Sequence, residues 1–559
     1  MLLGLDVGGT FSDAVIIDAG KVVQYAKTPT THGRLLTCVT QAIDKVLGEL
    51  RPEDITRVAL STTVVTNAIA AGEIARAALV VIPGPGADLT GALPVNPVVL
   101  SGYVDHRGRE VAGVIEQELA GAGGRLSEYD LFAVSGKFSV RNPRQEAQAA
   151  DWLNRAFKPR HITTGAGLSG ELNFWRRTNS AYYNAAVWPC FQEFARSVKA
   201  ALAQRRIKAP VYILKADGGT MPLAVAGSMP VEAIFTGPAA SVLGIMALAR
   251  PKVPAVSLDI GGTTTDIALW DGGLPVFSGK GAAIGGFPTA VRAFRLSSIG
   301  VGGDSHVRWE DGCLKIGPKR LGPAMALGGT QPTVSDAFIV AGLSGFGDRR
   351  LAGQAMRQLG GEQVELRAMA GMVIDQAAKQ VCRGIRQLID EWCDEPVYRV
   401  EDVVQNDRFR PELLIGVGGA AGGLAPVIAE QMNIPVSIPD GSPVVNAAGA
   451  AVARPTLSAT LRADTVEGSY TVAESGVNAP IPKGRFSLAQ AQALTAQYLQ
   501  ERALKAGIEA TDTEIVAQEE FHVVRGFHTA GKIITCKLQI KSGVLTDVSG
   551  FAGEAWHNE

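Results

Sequence analysis

Apolar and polar positions divide the chain into strands and helices from its first residues onward. Residues 2–7 and 13–18 are rich in apolar residues and flank the segment GGTFS, which predicts two strands joined by a glycine turn. The run KVVQYAKTP predicts a third strand, and the region around 33–50 predicts a helix that ends before Pro52. Between 77 and 175, short apolar runs alternate with helical patterns, which is typical of a parallel α/β sheet.

The remaining chain continues this pattern and then changes character. Residues 176–206 form a long amphipathic helical stretch that we expect to be interrupted at Pro189. A second strand–turn–strand occupies 255–270, and helical patterns cover about 350–395. The last hundred residues alternate like antiparallel strands, as in FHVVRGFHTAGKIITCKLQIKSGV, so we expect a separate terminal module.

Composition favours a well-packed protein of several domains. The chain has 559 residues, of which 46% are hydrophobic and 19% are charged, which excludes wholesale disorder. Lys and Arg number 53 against 54 Asp and Glu, so charge gives no reason to expect nucleic acid or an anionic membrane as a partner. The six cysteines have no zinc-site spacing, and neither a leader peptide nor an apolar run of about 18 residues is evident. We therefore expect a soluble, cytoplasmic protein.

Two segments with the same spacing of aspartate, glycine and threonine stand far apart in the chain. LDVGGTFSDAVIID near the amino terminus matches LDIGGTTTDIALWD at a constant offset, so that Asp6 corresponds to Asp259 and Asp13 to Asp266. A short motif can recur by chance, but a matched hairpin with the same flanking pattern is unlikely to do so.

A hairpin with a Gly-Gly-Thr turn has a chemical use. Its backbone N–H groups can bind a phosphate, and the threonine hydroxyl adds a donor. An aspartate at the end of the incoming strand can hold Mg²⁺ or its water shell. Each segment alone could be a plain tight turn. Two such hairpins facing each other would bind a triphosphate from both sides.

A third glycine-rich segment, LLIGVGGAAGGLAPVIAEQM, predicts a strand, a glycine turn and a helix. Such a junction lets an adenosine lie against the backbone. Gly416, Gly418 and Ala421 also fit the dinucleotide fingerprint G-x-G-x-x-A, with Asp440 about 20 residues further on. Its position after two phosphate hairpins favours adenosine over a nicotinamide cofactor.

The three elements, in this order, resemble the actin-like ATPase superfamily, which includes sugar kinases and Hsp70 chaperones. The segments LSTTVVTNAIAAGE, ADGGT, FTGPAASVLG and GVGGAAGG further resemble the hydantoinase A/oxoprolinase family. The resemblance implies an α/β, ribonuclease H-like fold of two duplicated halves around a nucleotide cleft, plus a small C-terminal module with antiparallel strands. We expect an N-terminal half with an inserted α/β segment at 1–175, a second half with ATP-binding elements at 176–455, and the C-terminal module at 456–559.

The resemblance also implies a function. It indicates an ATP- and Mg²⁺-dependent hydrolase-type subunit that activates a cyclic amide, imide or lactam by phosphoryl transfer to the carbonyl oxygen. A hydantoinase B-type partner subunit is expected, and a homo-oligomer is possible. The alternatives are an ATPase that regulates or reactivates a partner protein, and a metabolite kinase or carboxylase subunit.

Residue roles follow from the matched motifs. By resemblance, the groups that bind phosphate and magnesium are Asp6, Gly8, Gly9, Thr10, Asp259, Gly261, Gly262, Thr263 and Thr264. Among them, Asp6 and Asp259 would hold the metal, and these two together with Thr10 and Thr263 would be catalytic. Nucleotide binding extends to Gly237, Gly418, Gly419 and Ala420. Asp13 and Asp266 would brace their hairpins or cap the turns.

Three polar residues, Thr62, Thr63 and Asn67, lie where a strand meets a helix. They would face substrate or phosphate, unless they only cap the helix.

One loop departs from the family pattern. Long family members carry an aspartate and a histidine associated with a metal where this chain has Arg295 and Ser297 in RLSSIGVGGDS. Asp304 and His306 are a candidate substitute pair, and the alternative is a solvent-exposed loop.

Overall fold

The computed structural model describes residues 1–8, 11–30, 35–361, 363–395, 409–482 and 486–550. Across these ranges, no helix has both the length and the apolar run needed to cross a bilayer.

The first half begins with an antiparallel meander that is extended by a parallel strand. Its elements are β1 (Leu2–Val7), β2 (Phe11–Asp18), β3 (Lys21–Pro29), α1 (Leu35–Leu47), β4 (Arg57–Thr62) and α2 (Val64–Ala70). β1 and β2 pair antiparallel, as do β2 and β3. β4 pairs with the other edge of β1 in parallel. The predicted hairpin and third strand are confirmed.

An inserted α/β segment follows, and its sheet is parallel as predicted. Its elements are β5 (Ala78–Ile82), β6 (Val98–Val99), β7 (Tyr103–Val104), β8 (Glu110–Ala112), α3 (Glu116–Gly121), α4 (Gly123–Leu126), β9 (Leu131–Gly136), α5 (Arg144–Phe157), β10 (His161–Thr164) and α6 (Gly165–Leu168). The sheet order is β10-β9-β5-β6, with every pair parallel, while β7 and β8 form a separate two-stranded ribbon.

The chain then returns to the first sheet. The elements are α7 (Phe174–Gln204), β11 (Val211–Leu214), β12 (Thr220–Pro222), α8 (Leu223–Ala226) and α9 (Thr236–Leu248). The expected interruption of α7 at Pro189 is wrong, because one 31-residue helix runs through the proline. Phe191 and Phe194 are fully buried just beyond it, and this packing holds the helix together despite the missing N–H donor.

The position of β11 changes the division of the chain. β11 pairs in parallel with β4, and the first sheet has the order β12-β11-β4-β1-β2-β3. A boundary at residue 175 would therefore cut the first sheet away from two of its strands. We propose instead that the first half extends through α9.

The second half repeats the topology of the first. Its elements begin with β13 (Ala255–Ile260), β14 (Thr265–Asp271), β15 (Leu274–Pro275), β16 (Ala283–Ile284), β17 (Phe287–Pro288), β18 (Leu296–Ile299), β19 (Val307–Glu310) and β20 (Cys313–Ile316). They continue with α10 (Val334–Ala341), α11 (Arg349–Gly360), α12 (Leu366–Cys393), β21 (Leu413–Val417), α13 (Ala421–Met432), β22 (Val436–Ser437) and α14 (Val445–Val452).

The two main sheets share strand order and direction. The order β15-β14-β13-β21-β22 in the second half corresponds to β3-β2-β1-β4-β11 in the first. In both, the first two pairs are antiparallel and the last two are parallel. This correspondence confirms the duplicated actin-like α/β fold that the resemblance implies.

The last part of the chain forms the antiparallel sheet that was expected there. Its elements are β23 (Ser458–Asp464), β24 (Ser469–Val472), β25 (Val477–Pro480), α15 (Leu488–Lys505), β26 (Thr513–Arg525) and β27 (His528–Ile540). The sheet order is β25-β24-β23-β27-β26, and α15 contributes buried side chains to its core. Residues 541–550 then return to the two halves, where the N–H of Val548 donates to the carbonyl of Ala247 and that of Val22 to Gly550.

Glycines allow α14 to pack closely between the two halves. A Cβ on Gly4 of β1 would lie 2.1 Å from the carbonyl oxygen of Ala447 in α14. A Cβ on Gly449 of α14 would lie 1.9 Å from the carbonyl oxygen of Ala240 in α9, and one on Gly244 would lie 2.2 Å from that of Val445. Real side chains do not reach such distances, so these contacts require glycine.

We expect Gly449→Ala to lower the melting temperature, with a destabilisation of about 1–3 kcal/mol or more from overpacking. Gly371→Ala in α12 is the matched control, since a Cβ there would meet nothing within 4 Å. It should raise stability by about 0.5–1 kcal/mol because alanine favours a helix over glycine. Calorimetry on both variants checks the pair, and equal melting temperatures for Gly449→Ala and the wild type would contradict the packing argument.

Candidate functional site

The turns of the two hairpins close with the same hydrogen bond. The N–H of Gly8 donates to the carbonyl of Phe11 at 3.1 Å, and the N–H of Gly261 donates to that of Thr264 at 3.0 Å. The first glycine of each motif therefore closes its turn through its amide. In the described part of the chain, the N–H groups of Gly262 and Thr263 make no backbone hydrogen bond, which leaves them for a ligand. Gly9 and Thr10, predicted to bind phosphate, lie outside the described residues.

The aspartates of the two hairpins lie in matched pairs. Asp6 stands directly opposite Asp13, and Asp259 directly opposite Asp266. Side chains directly opposite each other in an antiparallel pair project from the same face of the sheet. Each hairpin thus presents two carboxylates on one face.

One side chain connects the two hairpins. The side chain of Asn446, in the first turn of α14, lies close enough to both Asp6 and Asp259 to lower the pKa of each carboxyl. The charges of these two aspartates also act on each other. The hairpins therefore meet across one crevice, with the amide of Asn446 between their carboxylates.

Two serines complete the surroundings of this pair. Ser61 lies beside Asp6 on the neighbouring parallel strand β4 and lowers the pKa of that carboxyl, while its hydroxyl donates to that of Thr236 at 3.4 Å. Ser241, on α9, lies close to Asp259 and lowers the pKa of that carboxyl. Equivalent carboxylates of the two hairpins thus each have a serine beside them, and both serines come from the first half.

Burial governs the protonation of the two central aspartates. It raises the pKa of Asp6, against the opposing effects of Ser61, Lys27 and Asn446. It also raises the pKa of Asp259, an effect that the nearby charge of Asp6 strengthens. Ionising either carboxylate therefore costs free energy unless a cation binds nearby.

The outer aspartates have different neighbours. Lys27 of β3 forms an ion pair with Asp13 at 2.8 Å between Nζ and Oδ2, yet burial still raises the pKa of Asp13 to about 6. Among the described residues, none forms an ion pair with Asp266. Burial and the charge of Asp259 raise the pKa of Asp266 to about 7, against the opposing effect of Ser298, which lies opposite it on β18.

The site fits a magnesium ion that is shared with phosphate. The Oδ1 atom of Asp6 is buried and has no hydrogen-bond partner among the described residues. In the same ranges, no three His, Cys, Asp or Glu side chains converge as a set of metal ligands. Mg²⁺ commonly binds one or two carboxylates and completes its shell with waters and phosphate oxygens. Asp6 and Asp259 suit that mode better than a site built from protein ligands alone.

The glycine-rich loop after β21 lies directly behind Asp259. Gly418 has φ of +92°, and a Cβ there would lie 2.6 Å from Oδ1 of Asp259. The N–H of Ala420 donates to the carbonyl of Ile260 at 3.0 Å, which ties the loop to the hairpin. A Cβ on Gly419 would meet nothing within 4 Å, so open space adjoins the loop at that residue.

The hydroxyl-rich junction after β4 is divided between two environments. Thr62 is fully buried, and its backbone N–H and carbonyl both bond to the hydroxyl of Thr236 on α9. Thr63 is half-buried, and Asn67 is exposed and donates to the Thr63 hydroxyl at 3.1 Å. Gly237 lies next to Thr63, since a Cβ there would be 3.8 Å from Cγ2 of that threonine. Thr62 thus supports the junction, whereas Thr63 and Asn67 reach its surface.

The loop that departs from the family pattern contains no described metal site. Arg295 forms an ion pair with Glu395, and Asp304 forms one with Arg320 at 2.9 Å. The backbone N–H of Asp304 donates to the carbonyl of Gly262 at 2.6 Å. The loop therefore braces the second turn, and Asp304 is half-buried rather than solvent-exposed.

Several site residues escaped the sequence analysis. They are Lys27, Ser61, Ser241 and Asn446. The sequence could have indicated Lys27, because the register of the predicted β2–β3 meander places it opposite Asp13. Asn446 had none, since its neighbours in the sequence are small apolar residues.

Fold and site together define a duplicated actin-like α/β protein with carboxylates from both halves facing one crevice. The family model described as Hydantoinase/oxoprolinase matches residues 177–459, and its N-terminal region matches residues 2–157. The chain belongs to the hydantoinase/oxoprolinase family, and it is an enzyme of that family.

Named relatives agree with this assignment. The chain is 26% identical to the caprolactamase subunit alpha of Pseudomonas jessenii over 471 residues, covering 77% of this chain and 67% of that protein. The fold is shared with the ATP-dependent caprolactamase of P. jessenii, with a TM-score of 0.70, 20% identity and coverage of 100% and 89%. It is also shared with a nucleotide-free acetone carboxylase, with a TM-score of 0.71, 16% identity and coverage of 98% and 88%.

We expect the stability of the ligand-free protein to depend on pH through Asp266. Because its pKa is about 7 in the fold and about 3.9 in an unfolded chain, the folded state binds more protons between these values. The free energy of unfolding therefore falls as pH rises from about 4 to about 7. Asp266→Asn should lose less stability than the wild type between pH 5 and pH 8 in thermal melts.

The control is Asp271→Asn, at the exposed end of the same strand, which should follow the wild-type pH profile. Parallel profiles for Asp266→Asn and the wild type would show that burial does not perturb Asp266.

Proposed function

We propose that this protein is an ATP- and Mg²⁺-dependent enzyme subunit that activates a cyclic amide, imide or lactam by phosphorylating its carbonyl oxygen. The observation that carries the proposal is that Asp6 and Asp259 lie close enough for the charge of Asp6 to raise the pKa of Asp259 and for Asn446 to act on both, so both phosphate hairpins face one crevice. The names of its relatives as an ATP-dependent caprolactamase and as members of an oxoprolinase family support the reaction class.

In this proposal the second hairpin binds phosphate through the free N–H groups of Gly262 and Thr263. Asp6 and Asp259 hold the magnesium, and Asn446 fixes their spacing. Bound Mg²⁺ neutralises phosphate charge in the transition state. The open side of Gly419 gives the adenosine a surface without side chains.

The chemistry balances with two waters. The amide carbonyl oxygen attacks the γ-phosphorus of ATP, and ADP leaves. One water adds to the activated carbon. The ring C–N bond then breaks with the amine protonated, and the carbon that carried it becomes an acyl phosphate. A second water attacks that carbonyl carbon and releases phosphate, so that an amide that resists direct hydrolysis is opened.

On the substrate side, Thr63 and Asn67 are the predicted contacts that reach the surface. Thr62 is fully buried against Thr236, so its role in the proposal is to hold Thr63 in place. The proposal also includes a B-type partner subunit, because the relative from P. jessenii is named as a subunit alpha.

We expect Asp6→Asn and Asp259→Asn each to lower Mg²⁺-dependent ATP hydrolysis on the order of 100-fold or more, since each removes charge from the metal site. Phosphate release with and without cyclic amide measures the effect. The controls are Asp18→Asn and Asp271→Asn, which change the exposed ends of the same two hairpins and should keep wild-type rates. Normal turnover in Asp6→Asn or Asp259→Asn would remove the magnesium assignment.

Isotope transfer tests the bond that forms. With ¹⁸O in the substrate carbonyl, the label should appear in inorganic phosphate, because that oxygen becomes bonded to phosphorus before the carbon is hydrolysed. Mass spectrometry of the phosphate reads this out. Unlabelled phosphate, or a stable phosphorylated product, would instead favour a regulatory ATPase or a metabolite kinase.

A further inference from the structure

A carboxylate on the loop that follows β18 lies against the turn of the second hairpin. A Cβ on Gly262 would lie 3.0 Å from Oδ2 of Asp304. The N–H of Asp304 donates to the carbonyl of Gly262 at 2.6 Å, and that of Gly303 donates to the carbonyl of Gly261 at 2.9 Å. Two consecutive amides therefore hold the loop on the turn, and the carboxyl group of Asp304 lies beside the glycine whose own N–H is free.

The same loop contacts the glycine-rich loop proposed for adenosine. A Cβ on Gly303 would lie 3.3 Å from the Cβ of Ala420, and the N–H of Ala420 donates to the carbonyl of Ile260 in the hairpin. The second turn is therefore next to the adenosine loop. Phosphates close to the ribose would lie at this turn, whereas the terminal phosphate would extend across the crevice towards the first hairpin.

An aspartate alone at this position would oppose phosphate binding, because like charges repel and burial weakens the screening by water. The side chain of Asp304 keeps only 17% of its surface exposed. Arg320 supplies the compensating charge, since its Nη2 and Nε lie 2.9 Å and 3.1 Å from Oδ2 of Asp304. The second turn thus has an arginine beside it, as the first hairpin has Lys27 beside Asp13.

The main chain fixes the position of Arg320 relative to the turn. The N–H of His306 donates to the carbonyl of Lys319 at 3.2 Å, and the N–H of Gly317 donates to the carbonyl of His306 at 3.0 Å. These bonds join the residues just after Asp304 to those just before Arg320, and the β19–β20 ribbon connects them. The guanidinium is therefore held in place before a ligand binds, which lowers the entropic cost of binding.

Arg320 retains hydrogen-bond donors for a ligand. A guanidinium carries five N–H groups, and both contacts with Asp304 go to a single carboxylate oxygen. Within the described residues, Nη1 of Arg320 makes no hydrogen bond to the protein, and 31% of the side-chain surface is exposed. An arginine with free N–H groups beside a phosphate-binding turn can donate two parallel bonds to phosphate.

We propose that Arg320 binds the phosphates shared by ADP and ATP at the second turn, and that Asp304 positions its guanidinium there. Arg320 is thus a nucleotide-binding residue outside the three glycine-rich motifs, and Asp304 is a positioning residue. This inference rests on the proposed function, in which it adds a residue to the nucleotide site.

Calorimetric titration of the full chain with Mg²⁺ and either ADP or a non-hydrolysable ATP analogue tests the proposal. Arg320→Gln should weaken binding of both nucleotides about tenfold or more and to the same extent, since a charge-assisted contact to a shared phosphate is lost. Asp304→Ala should weaken both about threefold, although it removes a negative charge from the site, because the arginine is no longer positioned. Melting temperatures verify that each variant is folded.

The double variant Asp304→Ala/Arg320→Gln separates direct contact from charge compensation. It should stay about tenfold weaker than the wild type, and it replaces the single variant if Arg320→Gln does not fold. Arg308→Gln is the matched control, because Arg308 lies on β19 and forms an ion pair with Glu310 of the same ribbon at 2.9 Å. It should bind both nucleotides like the wild type.

Wild-type affinity in Arg320→Gln or in the double variant would overturn the inference, as would a loss confined to the ATP analogue, an equal loss in Arg308→Gln, or no nucleotide binding by the wild type. Tighter or unchanged binding in Asp304→Ala would remove the positioning role. If the expected losses occur but no ¹⁸O from the substrate carbonyl reaches phosphate, the nucleotide contact stands and the proposed reaction fails.

Discussion

The close contact of α14 with β1 and α9 is the constraint on which the rest of the structure depends. Backbone meets backbone at Gly4, Gly244 and Gly449 at distances that no side chain would permit. This contact brings the first turn of α14, and with it Asn446, to the base of both hairpins. Without it, two copies of one motif would be two separate turns. With it, they form the opposite sides of one site.

The site that results holds more negative charge than it can stabilise alone. Burial raises the pKa values of all four hairpin aspartates, and Lys27 is the cation that acts on three of them. A crevice of this kind favours a divalent cation, because the cation restores the ionised carboxylates and then attracts phosphate. Binding of a cation therefore gains free energy by relieving the unfavourable electrostatics of the ligand-free protein.

How far the sequence predicts this protein depends on the range of the interactions. The hairpins, the parallel inserted sheet and the terminal antiparallel sheet follow from local periodicity, and their repetition implies the duplicated fold. The end of the first half cannot be predicted from local periodicity. It depends on the pairing of β11 with β4, which is distant in sequence. Helix propensity alone predicts an interruption at Pro189, but buried phenylalanines stabilise the helix that contains it. Thr62 and Thr63 are adjacent and alike in type, and only packing against Thr236 separates the buried residue from the accessible one.

The return of residues 541–550 to the two halves has a consequence for biosynthesis. The strands of the first sheet all lie before residue 223, so that half can assemble while the chain is still emerging from the ribosome. Val22, however, bonds to Gly550, and Ala247 bonds to Val548. These strands and helices acquire their final neighbours only after residues 548–550 have been translated. A nascent chain can thus hold both hairpins and still lack the last hydrogen bonds that join its beginning to its later residues.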